Sequence, residues 1–297
     1  MKLLILGGGG VIGRVFRGMF RAVYDMTPVD ITPVNRDEEG ETADLTNYAS
    51  LLSIIDKHKP DAVLNLAGKS YHKTQNDAEI YESNLLIQLN LHNAIVQLGI
   101  KPRIVICSSS AVYKSSQTAV SENSYCWPQN SYAKAKFIQE RIGLSYHPEH
   151  CVIIARLFNV IGPFQDKSFF IPALIDRMMR YKRHETATVR LKTEKAMRDF
   201  IFVDDVCSAL AVLLEKGLSG EVYNVCTGAG TSIGTVVALL GEMLDVGELP
   251  LEVEADYVKE GIDLQVGSNA KMQALGWMAA YDIRTALAKI LREEYGK

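Results

Sequence analysis

The chain is poor in the features that mark disulfide frameworks, metal centres and membrane spans. Its five cysteines (Cys107, Cys126, Cys151, Cys207, Cys226) are odd in number, scattered and never spaced as CxxC. They read as reduced thiols of a cytoplasmic protein, with no zinc site expected. No hydrophobic run is long enough to span a bilayer. The opening apolar run, residues 3–6, is too short for a signal-peptide core and meets a glycine string at once. Neither sign of charge dominates: 32 Lys and Arg stand against 35 Asp and Glu, a net −3, so nucleic acid and acidic membranes are not expected partners. The basic stretch 177–195 holds a single aromatic, Tyr181, and reads as a solvated face with one or two phosphate contacts. Nothing pairs His72 or His92 as metal ligands, and both read as surface residues.

What is present is a rhythm. Short Leu-, Ile- and Val-rich runs at 3–6, 26–29, 62–66, 103–107 and 152–157 alternate with helical periodicity, clearest over 48–58, 79–98 and 131–146. Runs without polar alternation are buried on both faces, and strand-then-helix repetition implies βαβ units. The expected fold is α/β, a Rossmann-type doubly wound parallel sheet. The rhythm breaks after residue 163, and 164–198 reads as irregular and basic. A helix at 204–215 and a strand at 221–225 follow, then about 70 residues of a smaller α/β portion.

Two motifs carry chemistry. Gly7, Gly10 and Gly13 follow the first strand at intervals of three, with Val11 and Ile12 between. The spacing allows a tight turn, close approach of a pyrophosphate, and helix amides aimed at it. Asp30 ends the second strand and can bond adenosine ribose hydroxyls, which favours NAD; nearby Arg36 could instead neutralise the 2′-phosphate of NADP. Asp44 can accept from an adenine amine or cap a helix.

The second motif is Tyr132-Ala-Lys-Ala-Lys136, which sets a phenol and an ammonium on one helix face. Upstream, the 104–107 strand runs into Ser108-Ser109-Ser110. A phenol near pKa 10 is a poor acid at neutral pH, and an adjacent ammonium is expected to lower it. Tyr132 as proton donor, Lys136 as its partner and Ser109 holding the substrate oxygen make a centre for reversible hydride transfer at a carbinol carbon.

Together these residues resemble the extended short-chain dehydrogenase/reductase family, in its nucleotide-sugar branch of epimerases, dehydratases and reductases. The resemblance runs along the chain through the glycine motif, Asn65-Leu66-Ala67-Gly68, Asn84, the serine strand, Tyr132/Lys136, Arg156 to Asn159, Arg198 to Val206, Val222 to Val225 and Leu275 to Trp277. It implies that Ser109, Tyr132 and Lys136 are catalytic. It also implies that Asp44, Leu45, Leu66, Ala67, Gly68 and Asn84 line the NAD(H) or NADP(H) site. Ser109, Ser110, Asn159, Arg198, Lys259 and Asp263 are then expected at a nucleotide-diphosphate sugar. The last two stand in Lys-Glu-Gly-Ile-Asp, where the family has Arg-Glu-Gly-Asp. The implied organisation is a dinucleotide-binding domain over 1–163 with a return segment 199–228, and an interleaved substrate domain over 164–198 and 229–297. A homodimer formed through the helices at 79–98 and 131–146 is implied as well.

Departures narrow the chemistry. Dehydratases carry acidic residues after the Ser/Thr, where this chain has Ser110-Ala111. The 3,5-epimerising reductases carry a cysteine there, and Cys107 lies before Ser109. Two activities remain: reduction of a 4-keto-6-deoxyhexose on a nucleotide, and 4-epimerisation with NAD⁺ retained. The segments 195–206 and 215–227 look most like GDP-4-keto-6-deoxymannose reductases, which favours the first. A non-enzymatic dinucleotide sensor is the remote alternative.

Overall fold

The computed structural model describes residues 1–30, 40–69, 76–114, 116–247, 249–253 and 264–296. The chain opens with β1 (Lys2–Leu6), which shows why the sheet must be covered on both sides. Leu3 and Ile5 enter one hydrophobic cluster, while Leu4 and Leu6 enter a second. Successive strand residues point to opposite faces, so an unbroken apolar strand needs helices above and below. Each such side chain contributes about 1.5–3 kcal/mol of burial.

In chain order there follow α1 (Val11–Phe20), β2 (Asp25–Asp30), β3 (Glu41–Thr42), α2 (Tyr48–His58), β4 (Ala62–Asn65), α3 (Asp77–Leu98), β5 (Arg103–Ser109), α4 (Ser131–Leu144) and β6 (Val152–Leu157). Next come β7 (Asn159–Ile161), α5 (Phe170–Lys182), β8 (Val189–Leu191), β9 (Met197–Arg198), β10 (Phe200–Phe202), α6 (Val203–Lys216) and β11 (Val222–Val225). The chain closes with β12 (Thr231–Ser232), α7 (Ile233–Leu244), β13 (Leu251–Val253), β14 (Leu264–Gln265), α8 (Ala270–Ala274) and α9 (Ile283–Tyr295).

The main sheet is seven-stranded and parallel, ordered β11-β6-β5-β4-β1-β2-β3. This is the doubly wound Rossmann order, and the strand order reverses between β1 and β4. Helices α2, α3 and α4 pack side by side, while α1 packs on α6. The second half of the chain adds small sheets: β7 with β10, β8 with β13, and β9 between β12 and β14.

Caps set the helix starts near the site. Asn130 accepts from the Ala133 amide, so α4 begins just before Tyr132. Asn76 caps α3 through the Ala78 amide, and Gly99 ends that helix with φ 63°. The α2 cap is Asn47, not Asp44.

Two expectations fail here. The segment 164–198 is not irregular, because α5 occupies its middle. Ile171, Leu174, Ile175 and Met178 are buried at helical spacing, and Pro172 falls in the first turn, where its missing N–H costs no bond. The basic residues obscured this stripe by occupying the other positions. His92 is not a surface residue: α3 packs against α4, and its ring is fully buried and stacked 4.0 Å from Tyr146. Burial and the neighbouring His150 depress its pKa to about 4.

Candidate active site

The glycine loop lies at the switch point and is shaped by contacts no side chain could share. Gly7 has φ +82°, and a Cβ there would lie 2.9 Å from the Ala67 nitrogen on β4's exit. A Cβ on Gly13 would lie 2.7 Å from the Gly8 carbonyl oxygen and 2.8 Å from that of Gly7. Gly8 and Gly9, which the spacing argument did not single out, are equally confined: Gly8 meets Pro28, and Gly9 donates its N–H to Asp30 Oδ2 at 3.0 Å. Gly10 is the N-cap of α1, no side chain among the described residues caps that helix, and no acid stands in its first turn. The N–H groups of Val11, Ile12 and Gly13 therefore face outward beside a glycine cradle, an arrangement that fits a pyrophosphate.

Around this cradle, Asp30 ends β2 with its carboxylate tied to the glycine loop. Leu66 is half-buried and Ala67 buried, the latter's N–H donating to Asn65 Oδ1 at 3.1 Å. Gly68 has φ +135°, and a Cβ there would collide with Asn84 Oδ1. Asn84 is fully buried; its amide donates to the Lys69 and Ile80 carbonyls, while Oδ1 has no partner among the described residues. Asp44 is exposed and holds Thr46 in a turn, while Leu45 is buried with its carbonyl bonded by Asn90. Arg36, Lys259 and Asp263 lie outside the described residues.

The reaction end forms where β5 meets α4. Ser109 ends β5 and hydrogen-bonds Tyr132, while its Oγ also accepts the Ala111 amide at 3.2 Å. Burial raises the Tyr132 phenol above its ordinary pKa, and the Ser109 bond draws it back down. Lys136 is buried, which brings its ammonium down to about 8 against the opposing influence of Cys107 and Glu140. Its Nζ donates to the Cys107 carbonyl at 3.0 Å and to Gln139 Oε1 at 2.9 Å. The ammonium expected to lower the phenol does not do so here: Lys136 is turned to Cys107 and Gln139, and the one lowering influence on Tyr132 is the Ser109 hydroxyl, which burial outweighs. The Cys107 thiol is buried and pushed up to about 12, which removes it as a base.

Among the residues expected at the substrate, parallel pairing of β7 with β10 puts Asn159 opposite Phe200 and next to Asp199. Asn159 donates both its backbone N–H and its side-chain amide to the Asp199 carbonyl, each at 3.1 Å. Half-buried Arg198 pairs in register with Thr231 and Gln265, and its guanidinium donates to the Met197 carbonyl. Ser110, expected at the substrate, is buried, and its hydroxyl accepts from Gln265 at 2.9 Å. That bond ties the reaction end to the C-terminal portion.

Several contributors escaped sequence reasoning because their partners are remote in the chain. Glu140 is fully buried and accepts Arg156 Nε at 2.9 Å, Arg156 Nη2 at 2.7 Å and Ser108 Oγ at 2.5 Å. The Arg156 guanidinium lies 4.7 Å over the Tyr113 ring, whose hydroxyl donates to Asn224 Oδ1 at 2.6 Å. Asp199, also fully buried, accepts from Thr227, Gly228 and Gly267. Two of these were within reach: Glu140 lies four residues beyond Lys136, and Arg156 interrupts an otherwise apolar strand.

The chain as a whole has counterparts among known proteins. A model of the NAD dependent epimerase/dehydratase family matches residues 3–226, and the chain belongs to that family. It is thus a nucleotide-sugar-modifying enzyme of an NAD(P)-dependent family of epimerases and reductases. GDP-6-deoxy-D-talose 4-dehydrogenase of Aggregatibacter actinomycetemcomitans is 30% identical over 300 residues, covering 99% of this chain and 97% of that protein. GDP-6-deoxy-D-mannose reductase of Pseudomonas aeruginosa is 31% identical, covering 98% and 96%. The solved structure of RMD from Pseudomonas aeruginosa complexed with NADPH matches with a TM-score of 0.86 at 30% identity, over 98% of both chains. UDP-glucose 4-epimerase of Rhizobium leguminosarum bv. trifolii is 26% identical over 99% of this chain and 96% of that protein. Among the described residues, no helix is long and apolar enough to cross a membrane.

Proposed function

We propose that this enzyme reduces the C4 keto group of a nucleotide-linked 4-keto-6-deoxyhexose. The observation that carries the reading is the pairing of Ser109 with Tyr132 beside a buried Lys136, with no second acid or base next to Ser109. Ser110 and Ala111 offer none, and Cys107 is buried with its thiol pushed up. Such a centre can move one proton at one oxygen, which suffices for ketone reduction. The two relatives near 30% identity whose names describe redox chemistry on GDP-linked 6-deoxyhexoses support it further.

The Gly7–Gly13 cradle would hold a reduced dinucleotide, whose chemistry would be delivery of the hydride. Tyr132 gives its proton to the carbonyl oxygen, Ser109 holds that oxygen, and Lys136 has one N–H left for a ribose hydroxyl. Asp30, Asp44, Leu45, Leu66, Ala67, Gly68 and Asn84 are assigned to the dinucleotide. Ser109, Asn159, Arg198, Lys259 and Asp263 are assigned to the sugar nucleotide, with Ser110 supporting from beneath. The carboxylate of Asp30 beside Gly9 disfavours a 2′-phosphate, so NADH is assigned over NADPH. Residues 1–163 with 199–228 form the dinucleotide unit, and the rest binds the sugar nucleotide. The half-exposed Leu86, Leu89 and Val96 on α3 with Ile138 on α4 form the seam of a homodimer.

The test is oxidation of NADH or NADPH with a panel of nucleotide-linked 4-keto-6-deoxyhexoses. Rapid loss of reduced-nicotinamide absorbance with one member supports the reading. No loss across the panel, with NAD⁺ released only on denaturation, points to 4-epimerisation. Tyr132→Phe should cost about 10²–10⁴-fold in kcat with dinucleotide affinity retained; undiminished turnover would overturn the assignment of Tyr132.

A further inference from the structure

Behind the reaction centre runs a line of buried amides that the reading above leaves unused. Gln139, on the turn after Lys136, accepts the Lys136 ammonium through Oε1 at 2.9 Å. Its Nε2 donates to Gln88 Oε1 on α3 at 3.4 Å. Asn65, at the end of β4, donates to the same Gln88 oxygen at 2.9 Å, and its own Oδ1 accepts the Ala67 N–H at 3.1 Å. Asn65, Gln88 and Gln139 are all fully buried.

The order has a direction. A backbone N–H can only donate, so Ala67 fixes which end of Asn65 is the oxygen. Asn65 then fixes Gln88, and Gln88 fixes Gln139. At the end of the line an amide oxygen, rather than an amide NH₂, faces the ammonium. The arrangement leaves Gln88 Nε2 buried with no partner among the described residues, a cost that an apolar side chain would avoid. Stability alone does not account for it.

We propose that Gln139 is a positioning residue for Lys136, held with its oxygen toward the ammonium by a ladder of Gln88 and Asn65 that begins at the dinucleotide crevice. The proposal rests on reading Lys136 as part of the reaction centre. The ladder joins the strand end carrying Ala67 and Gly68 to the lysine, so cradle and reaction centre share one buried support. The titratable groups acting on the ammonium are the Cys107 thiol on β5 and Glu140 on its own helix; Tyr132 stands one turn earlier on that helix. Glu140 is taken by Arg156 and Ser108, and α3 meets the line through the Gln88 amide. A neutral acceptor at Gln139 is therefore the adjustable contact to an ammonium that burial brings down to about 8.

The experiment follows the titration of Lys136 by NMR of protein carrying ¹³Cε-lysine, without added dinucleotide, the resonance being assigned by its loss in Lys136→Arg. The variants are Gln139→Met, Gln139→Glu, Gln88→Met and the combination of the last two. Gln139→Met should lower the midpoint and Gln139→Glu should raise it, each by about one pH unit or more. Gln88→Met should lower it alone, by freeing the amide to turn, and should do nothing when combined with Gln139→Glu, whose two oxygens both accept. A midpoint unmoved by Gln139→Met, or an equal Gln88→Met effect in both backgrounds, would overturn the proposal. Circular dichroism and melting check each fold; if Gln139→Glu does not fold, the two methionine variants still decide. Shifted titrations in a protein that reduces no keto sugar would sink the reductase reading and leave the positioning role standing. Turnover with unmoved titrations would do the reverse.

Discussion

Replacing Glu140 by Gln tests the buried pair beneath the reaction centre. The side chains of Glu140 and Arg156 are 0% and 3% exposed, and the carboxylate takes two guanidinium N–H groups and the Ser108 hydroxyl. The substitution preserves shape but leaves Arg156 charged, buried and unpaired. Removing one partner of such a pair costs about 3–5 kcal/mol, most of it the stranded charge. At about 2–3 °C per kcal/mol for a long chain, Tm should fall by about 6–15 °C. The companion variant Glu140→Leu with Arg156→Met removes both charges and should recover most of that loss, because the pair's attraction is largely offset by its desolvation. Both are read by thermal unfolding and by urea denaturation at one pH and salt. A single-variant loss under about 1 kcal/mol, or a double variant no better than the single, would refute the argument. Since Ser108 precedes Ser109, kcat should fall in Glu140→Gln even where the protein is fully folded.

Three further outcomes are expected. Gly13→Ala pushes a methyl against two backbone carbonyl oxygens, so dinucleotide affinity should drop at least about tenfold, or 1.4 kcal/mol; an unchanged Kd by nicotinamide fluorescence contradicts this. Lys136 loses its ammonium above about 8, so keto reduction should decline on the alkaline side with a midpoint there, whereas an alkaline limb beyond about 9.5 argues against it. The sign for stability is opposite: the unfolded chain keeps that proton to 10.5, so the cost of burying Lys136 is full below pH 8 and fades between 8 and 10.5. Leu89→Glu with Val96→Glu places charges on the exposed α3 face and should leave a monomer by light scattering; a wild-type protein already monomeric at micromolar concentration removes the seam.

How much was legible in the chain depended on how local each signal was. The strands of the main sheet stood out because residues such as Leu3 to Leu6 and Val152 to Ala155 are apolar without alternation, and only burial on both faces explains that. Tyr132 and Lys136 were readable because one helical turn brings them together. α5 was missed because Arg177, Arg180, Lys182 and Arg183 masked its buried stripe, and His92 because nothing in its neighbours tells which helix face is covered.

By itself, then, the sequence determined the βαβ order, the glycine cradle and the tyrosine-lysine pair, since each depends on backbone periodicity within a few residues. Tertiary structure alone decided that burial raises the phenol with Ser109 opposing, and that Lys136 turns to Cys107 and Gln139. It also decided that Ser110 serves Gln265 and that Glu140 is matched by Arg156. Those contacts join residues 3 to 155 positions apart. A buried polar group takes whichever partner the packing brings within reach, and no local pattern records that choice.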